Sequence, residues 1–273
     1  MAVDRAGRVA VADLGNNRVV LLRPDGRVAG TLPPAGGGPG PEGRLDGPVG
    51  VGWDPAGRVV VSYQQSHRVA VWSADGALAA VWPADGPARL SAPKGLAVDG
   101  AGRVLVADSQ NHRVAVFGPD GAFAGALGSE GSGPGQLRFP KGVAVDGAGR
   151  VLVADNHNHR VAVFGPDGAW AGALGSFGDG PGRLKHPIDV AVVVVVGGGG
   201  PEEGEEVVVV ADHANSRLAL FRPDGAWAGG RGREGRGGPA GTLLHPTGVA
   251  AGAAGGAVVV AEFGNNRLQL FRI

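Results

Sequence analysis

Residues 139–166 read FPKGVAVDGAGRVLVADNHNHRVAVFGP, and residues 92–119, 47 positions earlier, read APKGLAVDGAGRVLVADSQNHRVAVFGP. Within the later copy, three short Val-rich runs stand out: Val143 to Val145, Val151 to Ala154 and Val161 to Phe164. Each is bounded by Gly, Pro, Asp or Asn. Runs of that length and composition, punctuated in that way, are strands joined by tight turns. A near-copy at this period restricts the chain to a propeller, a solenoid or an open array.

An arginine opens the third apolar run of every unit: Arg18, Arg68, Arg113, Arg160, Arg217 and Arg267. Successive spacings of 50, 45, 47, 57 and 50 residues leave room for four strands of about five residues plus turns. In the third unit the strands fall near Gly95 to Val98, Val104 to Ala107, Val114 to Phe117 and Phe123 to Leu127, labelled a to d. At 273 residues the chain suits one closed all-β array. The expectation is a single-domain, six-bladed β-propeller over 1–273, with four antiparallel strands per blade. The blades lie at about 1–32, 49–82, 94–127, 141–174, 188–229 and 247–273. Ala2 to Asp4 reads as strand a of the first blade and Leu268 to Phe271 as strand c of the sixth, with nothing after it. The last blade is therefore expected to lack its outer strand and expose an edge, as a piece of a longer chain would, and otherwise to be monomeric.

Composition narrows the function classes. The formal net charge is zero, so a charged partner must read a local patch. The absence of cysteine excludes disulfides and thiolate metal sites and favours a cytoplasmic setting. MAVDRAGRV has no apolar core of a signal peptide, and the longest apolar run, Ile188 to Val196, is too short to span a bilayer, so no membrane association is expected.

Two kinds of connection separate the ends of the ring. DGAG between strands a and b, and GPDG or RPDG between c and d, suit tight hairpins. The b–c loops and the longer d–a crossings emerge at the opposite end, where binding residues usually sit. The second unit is irregular, with Trp53, Trp72 and Trp82, and with Tyr63 where most units hold an acid. In the fifth unit GGGGPEEGEE interrupts two valine runs and reads as a lengthened a–b hairpin with an acidic surface tip.

Asp13, Asp108, Asp155 and Asp212 each stand five residues before the arginine that opens strand c, a spacing that lets the pair close the b–c loop. We assign those eight residues, with Arg68 and Arg267, to structure; Glu262 replaces the aspartate in the last unit. Catalytic patterns are missing: there is no GxSxG, HExxH or phosphate-cradling GKS. His112, His157, His159 and His213 fall in b–c loops, and His186 and His245 precede crossing prolines. A zinc site at the channel mouth is one reading of them, and loop orientation or ligand contact the favoured one.

The crossings carry Arg44, Arg89, Lys94, Arg138, Lys141, Arg183, Lys185, Arg231, Arg233 and Arg236 against Glu42, Asp46, Asp85, Glu130, Asp179 and Glu234, ten basic to six acidic residues. The opposite hairpins hold Asp4, Asp54, Asp99, Asp146 and the four glutamates of the insertion, partly offset by Arg8, Arg58, Arg103 and Arg150. The expectation is a polarised molecule, basic at the long-loop end. The candidate partner-binding residues are Arg89, Lys94, Gln110, His112, Arg138, Phe139, Lys141, Asn156, His157, Arg183, Lys185, His186 and His245. Cations interleaved with amides and rings suit a single-stranded RNA backbone with splayed bases, or a protein ligand on the same face.

The segments DSQNHRV, DNHNHRV, DLGNNRV and EFGNNRL, followed by an apolar run and GPDG or RPDG, and preceded by FPKGVAVD or HPTGVA, resemble NHL repeats. Crossings such as GSEGSGPGQLRFPKGV look like those of the tripartite-motif NHL ubiquitin ligases and Brat. That resemblance implies a non-catalytic recognition domain without cofactor, binding RNA or protein. It also implies RING, B-box and coiled-coil segments elsewhere in a parent protein. NHL-like propellers also include a zinc-dependent peptide-amidating lyase, a less favoured reading for a chain with one tyrosine and no cysteine.

Overall fold

The computed structural model describes residues 1–33, 45–82, 86–195, 204–234, 241–252 and 256–273. Glu42, Arg44, Asp85, Arg236 and the tip of the fifth-unit insertion lie outside them. Five antiparallel four-stranded sheets and one three-stranded sheet succeed one another along the chain, each running a–b–c–d from inside to outside. In the third blade strand a is Pro93–Val98, b Val104–Asp108, c Arg113–Phe117 and d Phe123–Leu127. The sixth blade stops at strand c, Arg267–Arg272, after a (Pro246–Ala251) and b (Ala257–Glu262). Each strand a lies beside the strands a of its neighbours, and that of blade 6 touches the short first strand, Ala2–Val3, so the ring closes. The fold is a six-bladed propeller whose last blade has three strands.

Alternation of side chains across each strand supplies two apolar faces per blade, and those faces meet between blades. Val106, Ala115 and Phe117 of blade 3 pack with Val69, Val71 and Trp82 of blade 2. On its other face Leu105, Ala107 and Val114 pack with Val143, Val153 and Phe164 of blade 4. A leucine from four of the crossings, Leu90, Leu137, Leu184 or Leu243, plugs the seam and is 2 % exposed or less. In blade 2, Tyr63 fills the position of the usual acid and accepts a hydrogen bond from Trp72 Nε1 at 3.1 Å.

Near the axis the inner strands run so close that side chains are excluded. A methyl group on Gly95 would stand 2.8 Å from the Lys141 carbonyl oxygen, and one on Gly142 would collide with Asp189. The glycine of each PKG triplet is a packing requirement of the channel wall.

Some features were not anticipated. Four b–c loops contain a 3-10 turn, as at Ser109–Asn111 and Asn156–Asn158. Two crossings form small parallel ladders, Ser129–Glu130 with Gln136–Leu137 and Arg233–Glu234 with Thr242–Leu243. The fifth-unit hairpin, by contrast, is lengthened as the sequence indicates, with strand a at Pro187–Val194 and b at Glu206–Asp212. At the hairpin end Asp4, Asp54, Asp99 and Asp146 bind Arg8, Arg58, Arg103 and Arg150 at 2.6–2.7 Å. Each acid lies four residues before its arginine across one hairpin, so the charges cancel locally.

Candidate recognition face at the channel mouth

Every b–c loop ends with a residue in the left-handed region: Asn17, His67, His112, His159, Ser216 or Asn266, with φ between 49° and 56°. That turn splits the labour of the loop signature among its residues. In blade 4 the Asp155 carboxylate accepts from Asn158 at 2.8 Å, from Arg160 Nε at 2.9 Å and from the Arg138 N–H of the crossing at 2.7 Å. Arg160 then donates to the carbonyls of Gly133 and Gln136, tying down the same crossing. Blades 3 and 5 repeat this with Asp108/Arg113 at 2.7 Å and Asp212/Arg217 at 2.8 Å. Blade 1 holds Asp13/Arg18 at 2.8 Å and blade 6 Glu262/Arg267 at 2.7 Å. Arg68, opposite Tyr63 in the strand ladder, makes no ion pair among the described residues.

The histidine of the signature has a different task. His67 Nδ1 accepts the Ala92 N–H at 2.9 Å, His112 Nδ1 that of Phe139 at 3.2 Å, and His159 Nδ1 that of His186 at 3.1 Å. Each donor opens the next blade, so each ring clasps one blade to its successor. Asn17 does the same for Gly47 through its amide oxygen at 2.7 Å. A ring nitrogen that accepts an N–H carries no proton, so these clasps require neutral imidazoles. Desolvation holds His159 below the ordinary histidine range, with His186 adding to it.

The strand-opening residues Phe139, His186 and His245 are themselves left-handed, with φ of 49–51°. With the loop residues they form a row of rings spanning blades 3 to 5. Neighbouring centroids are 4.4 Å apart from His112 to Phe139, 4.6 Å from Phe139 to His157 and 5.8 Å from His157 to His186. The row continues at 4.4 Å from His186 to His159 and 4.8 Å from His159 to Phe177. His213 and His245 make a separate pair at 4.8 Å. Phe177, on the crossing into blade 5, is 62 % exposed and stood outside the sequence-based candidates.

Beside this row lie Lys94 and Lys141, at equivalent positions of adjacent inner strands. Lys94 donates to the Gln64 amide oxygen, and desolvation, helped by Lys141, pulls its ammonium down to about 8. Lys141 is lowered by burial as well. Arg138, Arg183 and Lys185 are exposed on the crossings into blades 4 and 5. Among the described residues none of these five cations pairs with a carboxylate. One position further along the inner strand of blade 5, Asp189 replaces the glycine of PKG and accepts the Val249 N–H at 3.0 Å. Desolvation outweighs its N–H bonds and the nearby amino-terminal charge, and pushes it up to about 6.

Other candidates stand apart from the row or, like His112, are largely covered within it. Asn156 is buried and donates to the Pro187 carbonyl at 2.9 Å, a link between blades. His112 keeps only 9 % exposure beneath Phe139. Gln110 accepts from Ser91 Oγ at 3.0 Å. Arg89 lines a separate polar cleft of about 490 Å³ with Ser91, Asn111 and Arg113. Among the described residues no three His, Asp or Glu side chains converge as a metal site. No helix is long and apolar enough to cross a membrane.

Residues 90–117, 137–164 and 243–271 match the NHL repeat family. No curated protein sequence is similar to the chain. Among solved structures, a streptogramin B lyase aligns over 98 % of this chain and 78 % of its own, with 14 % identity and a TM-score of 0.67. A gluconolactonase from Xanthomonas campestris aligns over 99 % and 84 %, with 18 % identity and a TM-score of 0.67. An auxiliary nutrient binding protein from Bacteroides ovatus aligns over 98 % and 66 %, with 12 % identity and a TM-score of 0.69. At those identities the likeness is one of fold, shared by enzymes and binding proteins alike. The likeness to tripartite-motif NHL ligases and Brat finds no counterpart among these matches. The chain is a six-bladed β-propeller carrying NHL repeats.

Proposed function

We propose that this propeller is a non-catalytic recognition module that binds single-stranded RNA across the mouth of its channel. The observation that carries the reading is the pairing of two surfaces: five cations without carboxylate partners among the described residues, and a row of rings beside them. Lys94, Arg138, Lys141, Arg183 and Lys185 suit phosphates, and Phe139, His157, His186 and Phe177 offer faces and edges to unstacked bases. Within this reading the module needs no cofactor and serves as the RNA- or substrate-selecting part of a larger cytoplasmic protein of the tripartite-motif type.

Binding to a random RNA pool, titrated with salt, tests the proposal. Five phosphate contacts give a slope of log K against log salt of about −3.5 for a single strand. Absence of binding at low salt, or affinity indifferent to salt, refutes it. A second reading, an acidic protein segment on the same face, is favoured by the half-desolvated Lys94 and Lys141, which suit a carboxylate as well as a phosphate. Capture of a partner that survives RNase selects it. A zinc-dependent lyase reading fails if purified protein holds no stoichiometric metal by elemental analysis.

A further inference from the structure

Five of the inner strands open on a proline, and the residue after it stands at the lip of the channel: Val49, Lys94, Lys141, Ile188 and Thr247. Two ammonium groups therefore occupy adjacent blades with no acid at their level. Their strands touch, since a methyl group on Gly95 would stand 2.8 Å from the Lys141 carbonyl oxygen. The inner strands carry one acid, Asp189, a position deeper. Its oxygens receive the Val190 and Val249 N–H groups at 3.0 Å, and among the described residues it pairs with neither lysine.

The b–c loops add nothing negative. Their first residue is never an acid, and in three blades it rests on the inner strand of the next: Gln64 on Lys94, Asn156 on Pro187 and His213 on Pro246. Lys94 donates to the neutral Gln64 amide oxygen, and the Lys141 ammonium has no hydrogen-bond acceptor among the described residues. Lys141 acts electrostatically on Lys94 of blade 3, on His157 of its own blade and on His213 of blade 5. Its charge therefore stands over the channel and not along one seam. Both lysines are half-buried, whereas His157 beside them is exposed, so the pair lies below the rim of rings. Two desolvated like charges repel. One anion between them turns that repulsion into two charge-assisted hydrogen bonds.

We propose that the channel mouth is a binding site for a small multivalent oxyanion, a polycarboxylate or a phosphate, bridged between the Lys94 and Lys141 ammonium groups. Gln64 is the neutral donor beside it: its amide oxygen takes Lys94, which leaves its NH2 group for a ligand oxygen. A single negative charge leaves one ammonium uncompensated, and a polymer meets the rings of the rim first. The site is sized for a small molecule. The inference does not rest on RNA binding, but it bears on it. The same two lysines serve one anion at a time, so the small ligand competes with a phosphate backbone.

Isothermal titration of the full chain with pyrophosphate and with citrate, at low salt and with acetate as the monovalent control, tests the inference. The expected result is one-to-one binding of at least one multivalent anion with a dissociation constant below about 1 mM, and none of acetate. The tighter of the two names the class, phosphate or polycarboxylate. Lys94 is about half charged at pH 8 in the free protein and fully charged beside an anion, so binding there takes up about half a proton, read from the buffer dependence of the heat. Lys94→Ala and Lys141→Ala, checked as folded by their melting midpoints, each weaken binding at least about tenfold. Arg27→Ala, exposed at the hairpin end, leaves it unchanged. The inference is overturned if neither multivalent anion binds at about 1 mM, if acetate binds as well, if no proton is taken up at pH 8, or if Arg27→Ala weakens binding as much as the lysine variants. A chain that binds RNA and ignores both anions overturns this inference alone, and one that binds an anion and ignores RNA overturns the RNA reading alone.

Discussion

Arg160→Ala tests the division of labour within the loop signature, and the molecule supplies its own control. The Asp155 side chain is fully enclosed and Arg160 keeps 15 % exposure. Removing the guanidinium leaves a buried carboxylate with two donors, Asn158 and the Arg138 N–H. It also strips partners from the Gly133 and Gln136 carbonyls and a cation from the Trp170 ring, 5.1 Å away. Breaking a buried pair from one side costs about 3–5 kcal/mol. At roughly 2–4 °C per kcal/mol for a domain of this size, the thermal midpoint falls by about 6–20 °C. Burial already raises the Asp155 carboxyl above its ordinary range, so the variant recovers part of the loss where that acid takes up a proton. Arg68→Ala is the control, because Tyr63 faces it and no carboxylate is stranded; its cost stays below about 1 kcal/mol. Denaturant unfolding followed by tryptophan fluorescence reads both. Equal losses for the two variants refute the reasoning.

Other consequences can be measured on the same protein. His159, held neutral by burial, binds fewer protons folded than unfolded below about pH 6.5, so stability rises with pH through that window. His159→Asn, which keeps an acceptor as Asn17 does, flattens the rise; an unchanged profile contradicts the clasp. Lys94 loses its charge near pH 8 in the free protein, so RNA affinity declines as pH climbs beyond 8, and Lys94→Arg removes the decline. Gly142→Ala drives a methyl group into Asp189, whose Cα is 2.7 Å away, and is expected to destabilise by about 1–3 kcal/mol in a chemical melt. Phe177→Ala lowers RNA affinity by about 1–3 kcal/mol, the worth of one stacked base, and leaves the melting midpoint in place.

The fold was readable because a propeller writes the same strand–turn phrase once per blade. Strand d of blade 3, Phe123–Leu127, begins and ends where its aromatic and its leucine say it should. The three-stranded last blade follows from the same phrase broken off. The histidines were harder to read, because their partner is a backbone N–H in the next blade, presented only when the residue before the crossing proline turns left-handed. Asn156 looked like a surface amide, but its loop position points toward the adjacent inner strand, where a carbonyl receives it. Phe177 carried no signal because crossings have no side-chain period; its neighbourhood with His159 exists only once the crossing is folded. The hairpin charges were legible as offsetting, and the four-residue spacing of Asp4 and Arg8 is what pairs them one to one.

The account rests most heavily on the cations at the channel mouth acting together on one anionic strand. Its most direct test compares the salt dependence of RNA binding for the native chain and for Lys141→Ala. Loss of one phosphate contact is expected to reduce the slope of log K against log salt by about 0.7, with the thermal midpoint unchanged or raised because a desolvated ammonium has been removed. An identical slope in the two proteins contradicts the claim.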